Sequence, residues 1–207
     1  MKVLMVNGSF HEGCTYTALT EIGKVLEKEG IEWEIFNVGG APLRDCIGCG
    51  GCKSLDGACV FNDDILNEFL KKACEADGYI FGSPVYFAHP SGRIISLLDR
   101  AFVAGKKLFM HKPGAVITSA RRGGTTASYD VLNKYLGLCQ MPIVSSSYWN
   151  MVHGNTPEEV LRDEEGIQTM RNLGKNMAWI LKCIELAKKN GIEAPQNEIG
   201  VRTNFIK

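Results

Sequence analysis

The sequence lacks an excess of charge of either sign. Its 207 residues include 23 Lys and Arg and 23 Asp and Glu, which give a formal net charge of +0 at pH 7. No long run of one sign occurs. Because a surface for nucleic acid or for an anionic membrane needs concentrated positive charge, we expect neither a nucleic-acid partner nor membrane attachment.

Long apolar segments are missing as well. No stretch approaches the ~18–20 apolar residues that a membrane-spanning helix requires. The apolar run at residues 3–6 is too short for the core of a signal peptide. The eight cysteines therefore favour a reducing compartment, where thiols hold metals or carry out redox chemistry rather than form structural disulfides. We expect a cytoplasmic protein.

Several common catalytic signatures are also absent. The sequence has neither the G-x-G-x-x-G of a dinucleotide-binding loop nor the Gly-Lys-Ser/Thr ending of a P-loop. It has no carboxylate pair spaced for hydrolysis and no Ser-His-Asp pattern. His89, His111 and His153 share no metal-ligand spacing. We therefore name no acid–base catalytic residue.

A compact group of cysteines is the feature that the sequence does have. Cys46, Cys49, Cys52 and Cys59 are spaced C-x2-C-x2-C-x6-C, with four glycines between them. Glycine lets a backbone turn tightly enough to aim several thiolates at one point. Such spacing suits an iron–sulfur cluster better than zinc, whose structural sites usually divide their ligands into two separate pairs. A glycine-rich loop with free or disulfide-bonded thiols remains the alternative.

Hydrophobic periodicity predicts alternating strands and helices. The predicted strands cover residues 2–7, 31–38, 78–83, 113–119 and 141–146. The predicted helices cover residues 15–29, 64–76, 91–102, 126–138 and 164–190, with Asp63 and Asp64 as capping residues of the second helix. This order predicts an α/β, flavodoxin-like three-layer sandwich with a five-stranded parallel sheet in the order 2-1-3-4-5. One domain would span residues 1–190, with a cysteine-rich insertion at 39–62 and a C-terminal tail at 191–207.

Three loops, at residues 9–17, 83–91 and 119–125, follow the carboxyl ends of predicted strands, where open α/β sheets bind ligands. The first loop offers hydroxyls at a helix N-terminus for a phosphate, the second offers aromatic rings beside a proline for a flat ring, and the third offers glycines and positive charge. Each loop alone also has a simpler interpretation. The hydroxyls of the first loop could merely cap a helix, the second loop could be a surface loop that buries its aromatic side chains, and the arginines of the third loop could be solvated. Together the three loops suggest FMN. The candidate cofactor-binding residues are Ser9, His11, Cys14, Thr15, Tyr16, Thr17, Pro84, Val85, Tyr86, Phe87, Ser119, Arg121, Arg122, Gly123 and Gly124.

The remaining cysteines carry weaker predictions. Cys14 stands at the start of a predicted helix, where the helix N-terminus would lower the pKa of its thiol. Cys74, Cys139 and Cys183 fall on predicted helices and are expected to be small core residues.

The motifs resemble those of the NADPH-dependent FMN reductase family. The resemblance rests on Gly8-Ser9 with residues 14–17, on residues 82–86, and on the cysteine loop, which is similar to that of the iron–sulfur flavoproteins of anaerobes. Over residues 1–185 it implies noncovalent FMN, NAD(P)H as co-substrate, a homodimer or homotetramer with the flavin near a subunit interface, and a [4Fe-4S] cluster on the four clustered cysteines. Phe10 and His11 stand where the family usually has Pro and Arg, so a basic phosphate contact is expected either to be weaker or to be replaced by His11.

The expected function is that of an FMN-dependent oxidoreductase. Electrons would pass from a reduced nicotinamide or a ferredoxin-like donor to a small acceptor such as a quinone, another flavin or a nitroaromatic. The resemblance also implies that the segment 148–153 approaches the flavin or the substrate; ordinary packing at a dimer interface is the alternative. A flavodoxin-like electron carrier between protein partners and a zinc or thiol binding module are the two other functions that the sequence leaves open.

Overall fold

The computed structural model describes residues 1–198 and 200–206. Its centre is a mainly parallel β-sheet that helices cover on both faces. The strands are β1 (Lys2–Asn7), β2 (Glu32–Asn37), β3 (Gly78–Tyr86), β4 (His89–Pro90), β5 (Gly114–Ala120) and β6 (Met151–His153). The helices are α1 (Cys14–Lys28), α2 (Leu66–Cys74), α3 (Gly92–Ala104), α4 (Lys106–Phe109), α5 (Thr125–Leu138), α6 (Pro157–Arg162) and α7 (Glu164–Lys189), with one turn of 3-10 helix at Gly51–Ser54.

The strand order confirms the predicted topology. The parallel sheet runs β2-β1-β3-β5-β6, and the short strand β4 pairs only with β3, antiparallel to it. Because β4 lies outside the parallel path, the remaining order is the flavodoxin-like 2-1-3-4-5. The carboxyl ends of β1, β3 and β5 therefore meet at one edge of the sheet.

The last parallel strand differs from the prediction. Residues 141–146 contribute a single bridge, between Ile143 and Gly114, and the chain returns to the sheet only at β6. The buried side chain of Asn150 fixes this return, since its Nδ2 donates to the carbonyl of Val116 at 3.1 Å and its Oδ1 accepts from the Ser146 hydroxyl at 2.6 Å. These side-chain bonds replace ladder bonds, so apolar periodicity alone could not locate the interruption.

The core lies in two layers, one on each face of the sheet. Successive residues of β1 alternate between them: Leu4 and Val6 belong to one layer, and Val3 and Met5 belong to the other. A strand buried on both faces reads as the continuous apolar run seen at residues 3–6. Helix α7 packs its apolar stripe into the second layer beside α1, which confirms the helix predicted from its spacing.

The C-terminal tail forms no helix or strand over its described residues, 191–198 and 200–206; positions 199 and 207 lie outside the described part. Nowhere along the described ranges does a helix combine the length and the apolar character needed to cross a membrane.

Candidate functional site

The first loop begins where β1 and β3 end side by side. The backbone N–H of Gly8 donates to the carbonyl of Gly82 at 2.8 Å. A Cβ on residue 8 would lie 2.8 Å from both that carbonyl oxygen and the Cβ of Ile94. This close backbone approach explains the glycine at position 8, whereas a Cβ on Gly82 would lie 2.9 Å from Cγ2 of Thr15.

The loop leads directly into the N-terminus of α1, which no side chain of the described residues caps. The backbone N–H groups of Thr15 and Tyr16 have no partner within the described part of the chain, whereas that of Thr17 donates to the carbonyl of Gly13 at 2.9 Å. Free N–H groups and the positive end of the helix dipole together favour a bound phosphate.

The hydroxyl groups of this loop already have partners inside the protein. Thr15 is 1% exposed, and its hydroxyl lies 2.7 Å from that of Ser119. The Ser9 hydroxyl lies 3.3 Å from Nδ1 of His11, and the Thr17 hydroxyl donates to Gly13 at 3.1 Å. Thr15 thus connects the first and third loops, while the free donors toward a phosphate are backbone groups.

Asn7, which the motif analysis passed over, holds the first loop in shape. It is fully buried; its Oδ1 accepts from the Ser9 backbone at 3.2 Å, and its Nδ2 donates to the His11 carbonyl at 3.1 Å. A polar residue at the end of an apolar strand was the available signal, because a buried amide needs such partners.

Cys14 does not have the lowered thiol pKa that its position suggested. Burial raises the pKa of this thiol, and the carboxylates of Glu158 and Glu159 raise it further. Its Sγ donates to the carbonyl of Gly154 at 3.7 Å. The expectation of a lowered pKa at Cys14 is therefore wrong, because burial outweighs the effect of the helix N-terminus.

The second loop is a tight hairpin between β3 and β4. Phe87 and Ala88 form its turn with φ values of 52° and 57°, a left-handed conformation that is uncommon outside glycine. The Phe87 side chain is fully exposed and Tyr86 is about half exposed. Pro84 lies opposite Ser119 in the register of β3 with β5. The hairpin therefore holds aromatic rings at the same edge of the sheet as the first loop.

The third loop contacts the hairpin through Gly124. This glycine has a φ of 96°, and a Cβ built on it would lie 2.6 Å from the Cα of Ala88. Arg121, Arg122 and Gly123 are exposed. The structure thus brings the three predicted loops together through the pairs Gly8–Gly82, Thr15–Ser119 and Ala88–Gly124.

Exposed aromatic residues follow the interruption of the last strand. Tyr148 and Trp149 are both about half exposed and make an edge contact with ring centroids 4.8 Å apart. Their segment continues into β6, in which His153 pairs with Ala120 at the start of the third loop. The segment therefore adjoins the third loop; its approach to the flavin or the substrate stays a prediction.

The four clustered cysteines line a single cavity of about 280 Å³. Gly48, Gly50 and Gly57 have φ between 65° and 72°, and a Cβ on Gly51 would lie 2.7 Å from Cγ1 of Val60. The glycines therefore supply the tight backbone that the spacing predicted. Within the described ranges, no three Cys, His, Asp or Glu side chains are grouped as a single metal ion would need.

The cysteine cavity is remote from the loop edge. Ser91, at the start of α3, donates its hydroxyl to the carbonyl of Gly8 at 2.7 Å, whereas Arg100, Val103 and Ala104 from the other end of α3 line the cavity. At 1.5 Å per residue, these ends lie about 14–20 Å apart along the helix. The cysteine loop leaves the carboxyl end of β2, but its thiols lie farther down α3.

A buried ion pair supports one wall of this cavity. Arg100 and Asp64 are 2% and 4% exposed at their side chains, and Nη1 of Arg100 donates to the Asp64 carboxylate. Nη2 of Arg100 lies 3.5 Å from the Sγ of Cys59. Burial alone would lower the pKa of Arg100, but its hydrogen bonds with Asp64 and Cys59 raise it.

The predicted capping role is confirmed for Asp64 but not for Asp63. Asp64 does accept from the backbone of Leu66 at 3.1 Å, but it also pairs with Arg100, while Asp63 pairs with Arg44 at 2.5 Å. The helix starts two residues later than expected, at Leu66.

The other cysteines are divided between core and surface. Cys139 is buried, its Sγ donates to the carbonyl of Lys106 at 3.4 Å, and burial raises its pKa to about 11. Cys74 and Cys183 are exposed. Their prediction as core residues is wrong because they lie on the solvent side of their helices.

Comparisons with known proteins agree with this geometry. The family model of NADPH-dependent FMN reductase matches residues 1–156. An iron-sulfur flavoprotein of Methanocaldococcus jannaschii is 36% identical over 194 residues, which cover 89% of this chain and 100% of that protein. An iron-sulfur flavoprotein of Archaeoglobus fulgidus is 31% identical over 194 residues, covering 91% of this chain and 93% of that protein.

The fold is similar to that of solved flavodoxins. The structure of a flavodoxin from the domain Archaea superposes with a TM-score of 0.61 at 15% identity and covers 88% of this chain and 99% of that one. The loop edge, the strand order and the family match all concern the same part of the chain. The chain therefore belongs to the NADPH-dependent FMN reductase family of flavodoxin-like, FMN-binding oxidoreductases.

Proposed function

We propose that the protein is an FMN-dependent oxidoreductase with FMN bound at the edge formed by its three loops. The observation that carries this proposal is the junction of the loops through Gly8–Gly82, Thr15–Ser119 and Ala88–Gly124. It places an uncapped helix N-terminus, an aromatic hairpin and a basic loop at one sheet edge, as a phosphate, a flat ring and its polar side require.

Each loop has a stated task in this proposal. The backbone N–H groups at the start of α1 bind the phosphate, and Ser9 and His11 stand beside them. Residues 84–87 support the ring from the hairpin. Arg121 and Arg122 supply positive charge that favours the anionic reduced form. The flavin supplies the electron-transfer chemistry, and the protein supplies binding, orientation and electrostatics.

We further propose that Cys46, Cys49, Cys52 and Cys59 hold a [4Fe-4S] cluster. The four cysteines line a common cavity, and their compact spacing with glycines between them suits an iron–sulfur cluster better than zinc, whose structural sites usually divide their ligands into two separate pairs. The names of the two archaeal relatives support the same group. A cluster would add one-electron transfer.

The proposed electron donor is NAD(P)H or a ferredoxin-like protein, and the proposed acceptor is a quinone, a flavin or a nitroaromatic. Tyr86, Phe87, Tyr148 and Trp149 are exposed around the loop edge. We propose that a homodimer or homotetramer covers part of this surface. Exposed thiols in the cysteine loop support a reducing cytoplasm as the location.

The first experiment is an anaerobic purification in which FMN, iron and sulfide are counted per chain. We expect one FMN with about four irons and four sulfides. One FMN without iron would reject the cluster and keep the flavin site. Absence of FMN, including after incubation with excess FMN, would reject the proposed function.

Steady-state turnover then separates an enzyme from an electron carrier. The purified protein is mixed with NADH or NADPH and a quinone, and nicotinamide oxidation is followed. Turnover with either nicotinamide supports the oxidoreductase. Reduction by a ferredoxin with negligible turnover by both nicotinamides would instead show a carrier.

A further inference from the structure

The environment of Cys59 contains a charged side chain that the proposed cluster does not need as a ligand. Arg100 is 2% exposed, and its Nη2 lies 3.5 Å from Cys59 Sγ. Its Nε is buried and has no hydrogen-bond partner in the described part of the protein. A buried guanidinium donor without a partner is costly, and Arg100 is one of the residues that line the cavity of the four thiols.

We propose that Arg100 is a positioning residue that raises the reduction potential of the cluster held by the cysteine loop. This inference rests on the proposed [4Fe-4S] cluster. Arg100 acts by holding a permanent positive charge against the sulfur of one ligand, Cys59, on the protein side of the cavity.

The hydrogen-bond partners of Arg100 fix the orientation of its guanidinium group. Asp64 binds Nη1, and the carbonyl of Arg44 accepts from the same nitrogen at 3.2 Å. Nη2 is therefore left for Cys59 and for the carbonyl of Phe61, also at 3.5 Å. The carboxylate orients the guanidinium and also offsets part of its charge, so the two side chains should have opposite effects on an electron added nearby.

The charge of the cluster before and after reduction gives the expected direction of the shift in its reduction potential. Four thiolates and a [4Fe-4S]2+ core carry a total charge of 2−, and one electron from dithionite brings this to 3− without making or breaking a bond. A nearby positive charge stabilises the added negative charge, more strongly in a buried site than in water. Hydrogen bonds to ligand sulfur likewise raise the potential of iron–sulfur groups.

The test is a dye-mediated redox titration of the anaerobically purified protein, followed by EPR of the reduced cluster, with iron counted in every sample. We expect Arg100→Met to lower the midpoint potential and Arg100→Lys to lower it less. Asp64→Asn should raise it, because the arginine is kept and the offsetting carboxylate is lost.

Arg93→Met is the matched control. Arg93 belongs to the same helix and binds the same loop through the carbonyls of Ala41 and Gly40 at 2.6 and 2.7 Å, but it does not line the cavity. Its loss should leave the midpoint potential unchanged, even if the loop is loosened and iron content falls.

The outcomes separate this inference from the proposed function. Wild-type protein that binds FMN but holds no iron would remove this inference and the proposed cluster, and would keep the proposed flavin site. Four irons in the wild type, together with an unchanged potential in Arg100→Met or Arg100→Lys, would overturn only the role of Arg100. If neither Arg100 variant retains iron, Asp64→Asn decides: a raised potential supports the inference, and an unchanged or lowered potential refutes it.

Discussion

Gly123 and Gly124 are neighbours in sequence but have different conformational requirements. Gly124 has a φ of 96° and touches Ala88 of the hairpin, whereas a Cβ on Gly123 would meet nothing within 4 Å. A methyl group at 124 must therefore both strain the backbone and push the third loop away from the second. The left-handed conformation alone costs a residue with a Cβ about 1–2 kcal/mol.

We accordingly expect Gly124→Ala to weaken FMN binding by about tenfold or more, since about 1.4 kcal/mol corresponds to one factor of ten. Gly123→Ala, the control, should leave FMN affinity within about twofold, as expected for an unstrained, exposed site. Quenching of flavin fluorescence during titration of the apoprotein measures both. Equal affinities in the two variants would show that the junction of hairpin and third loop does not shape the flavin site.

Single residues were predictable from sequence where their chemistry is local. The glycines at 8 and 82 follow from strand ends, and the cysteines at 46, 49, 52 and 59 follow from spacing. Asn7 was missed although its partners Ser9 and His11 are close in sequence, because the motif analysis passed over the polar residue at the end of the strand. The pair of Asp64 with Arg100 was missed because its two members lie in separate segments. Arg100 is 36 residues from Asp64 and 41 from Cys59, so no local pattern connects them.

Helices α1 and α7 are joined by an ion-pair network around Glu21. Its side chain is 6% exposed and contacts Lys24 at 2.5 Å and Arg171 at 3.1 Å. Burial alone would raise the pKa of Glu21, but the hydrogen bonds from Lys24 and Arg171 hold it below its ordinary value of 4.5. Because the folded-state pKa is the lower one, the stabilisation is complete above pH 4.5 and is lost as the pH falls through the folded-state pKa.

Glu21→Gln should therefore lower Tm at pH 7 by about 2–4 °C, which corresponds to about 1 kcal/mol, discounted for the exposed partners. The difference from wild type should shrink as the pH falls below 4.5. The control is Glu27→Gln, on the same helix, exposed and without an ion pair to any described residue. Thermal scans by circular dichroism check both; a difference that persists unchanged at pH 3 would contradict the linkage.

At the scale of elements, periodicity predicted most helices and strands but not their interruptions. The chain order and the buried β1 strand follow from apolar runs and helical spacing. The hairpin at β4 and the displaced β6 do not, because they depend on the left-handed residues Phe87 and Ala88 and on side-chain bonds of Asn150. These irregular segments border the candidate flavin site, where local rules are most often broken.

The molecule as a whole holds its two candidate sites at opposite ends of α3. The loop edge depends on backbone hydrogen bonds among β1, β3 and β5. The cysteine cavity depends on the 39–62 loop and the last turn of α3. We therefore expect Cys49→Ser to abolish iron binding while FMN affinity stays within about twofold, as for independent sites.

Cys74→Ser is the control for this substitution, since Cys74 is also exposed but lies on α2 outside the cavity. It should retain both iron and FMN. Iron analysis and flavin titration of the two purified variants make the comparison. A large loss of FMN affinity in Cys49→Ser, with an unchanged Tm, would show that the two sites are coupled.

The limited packing of the 39–62 loop has a consequence for how the sequence can diverge in evolution. The loop enters and leaves on one side of the sheet, and within the core it contributes Cys59 and Leu43 only as partly buried contacts. During evolution this loop could therefore be shortened, or its cysteines replaced by other residues, without changes at the loop edge where FMN is proposed to bind. Divergence among descendants of such an ancestor would be expected to concentrate in this loop, while Gly8, Gly82 and Gly124 change little.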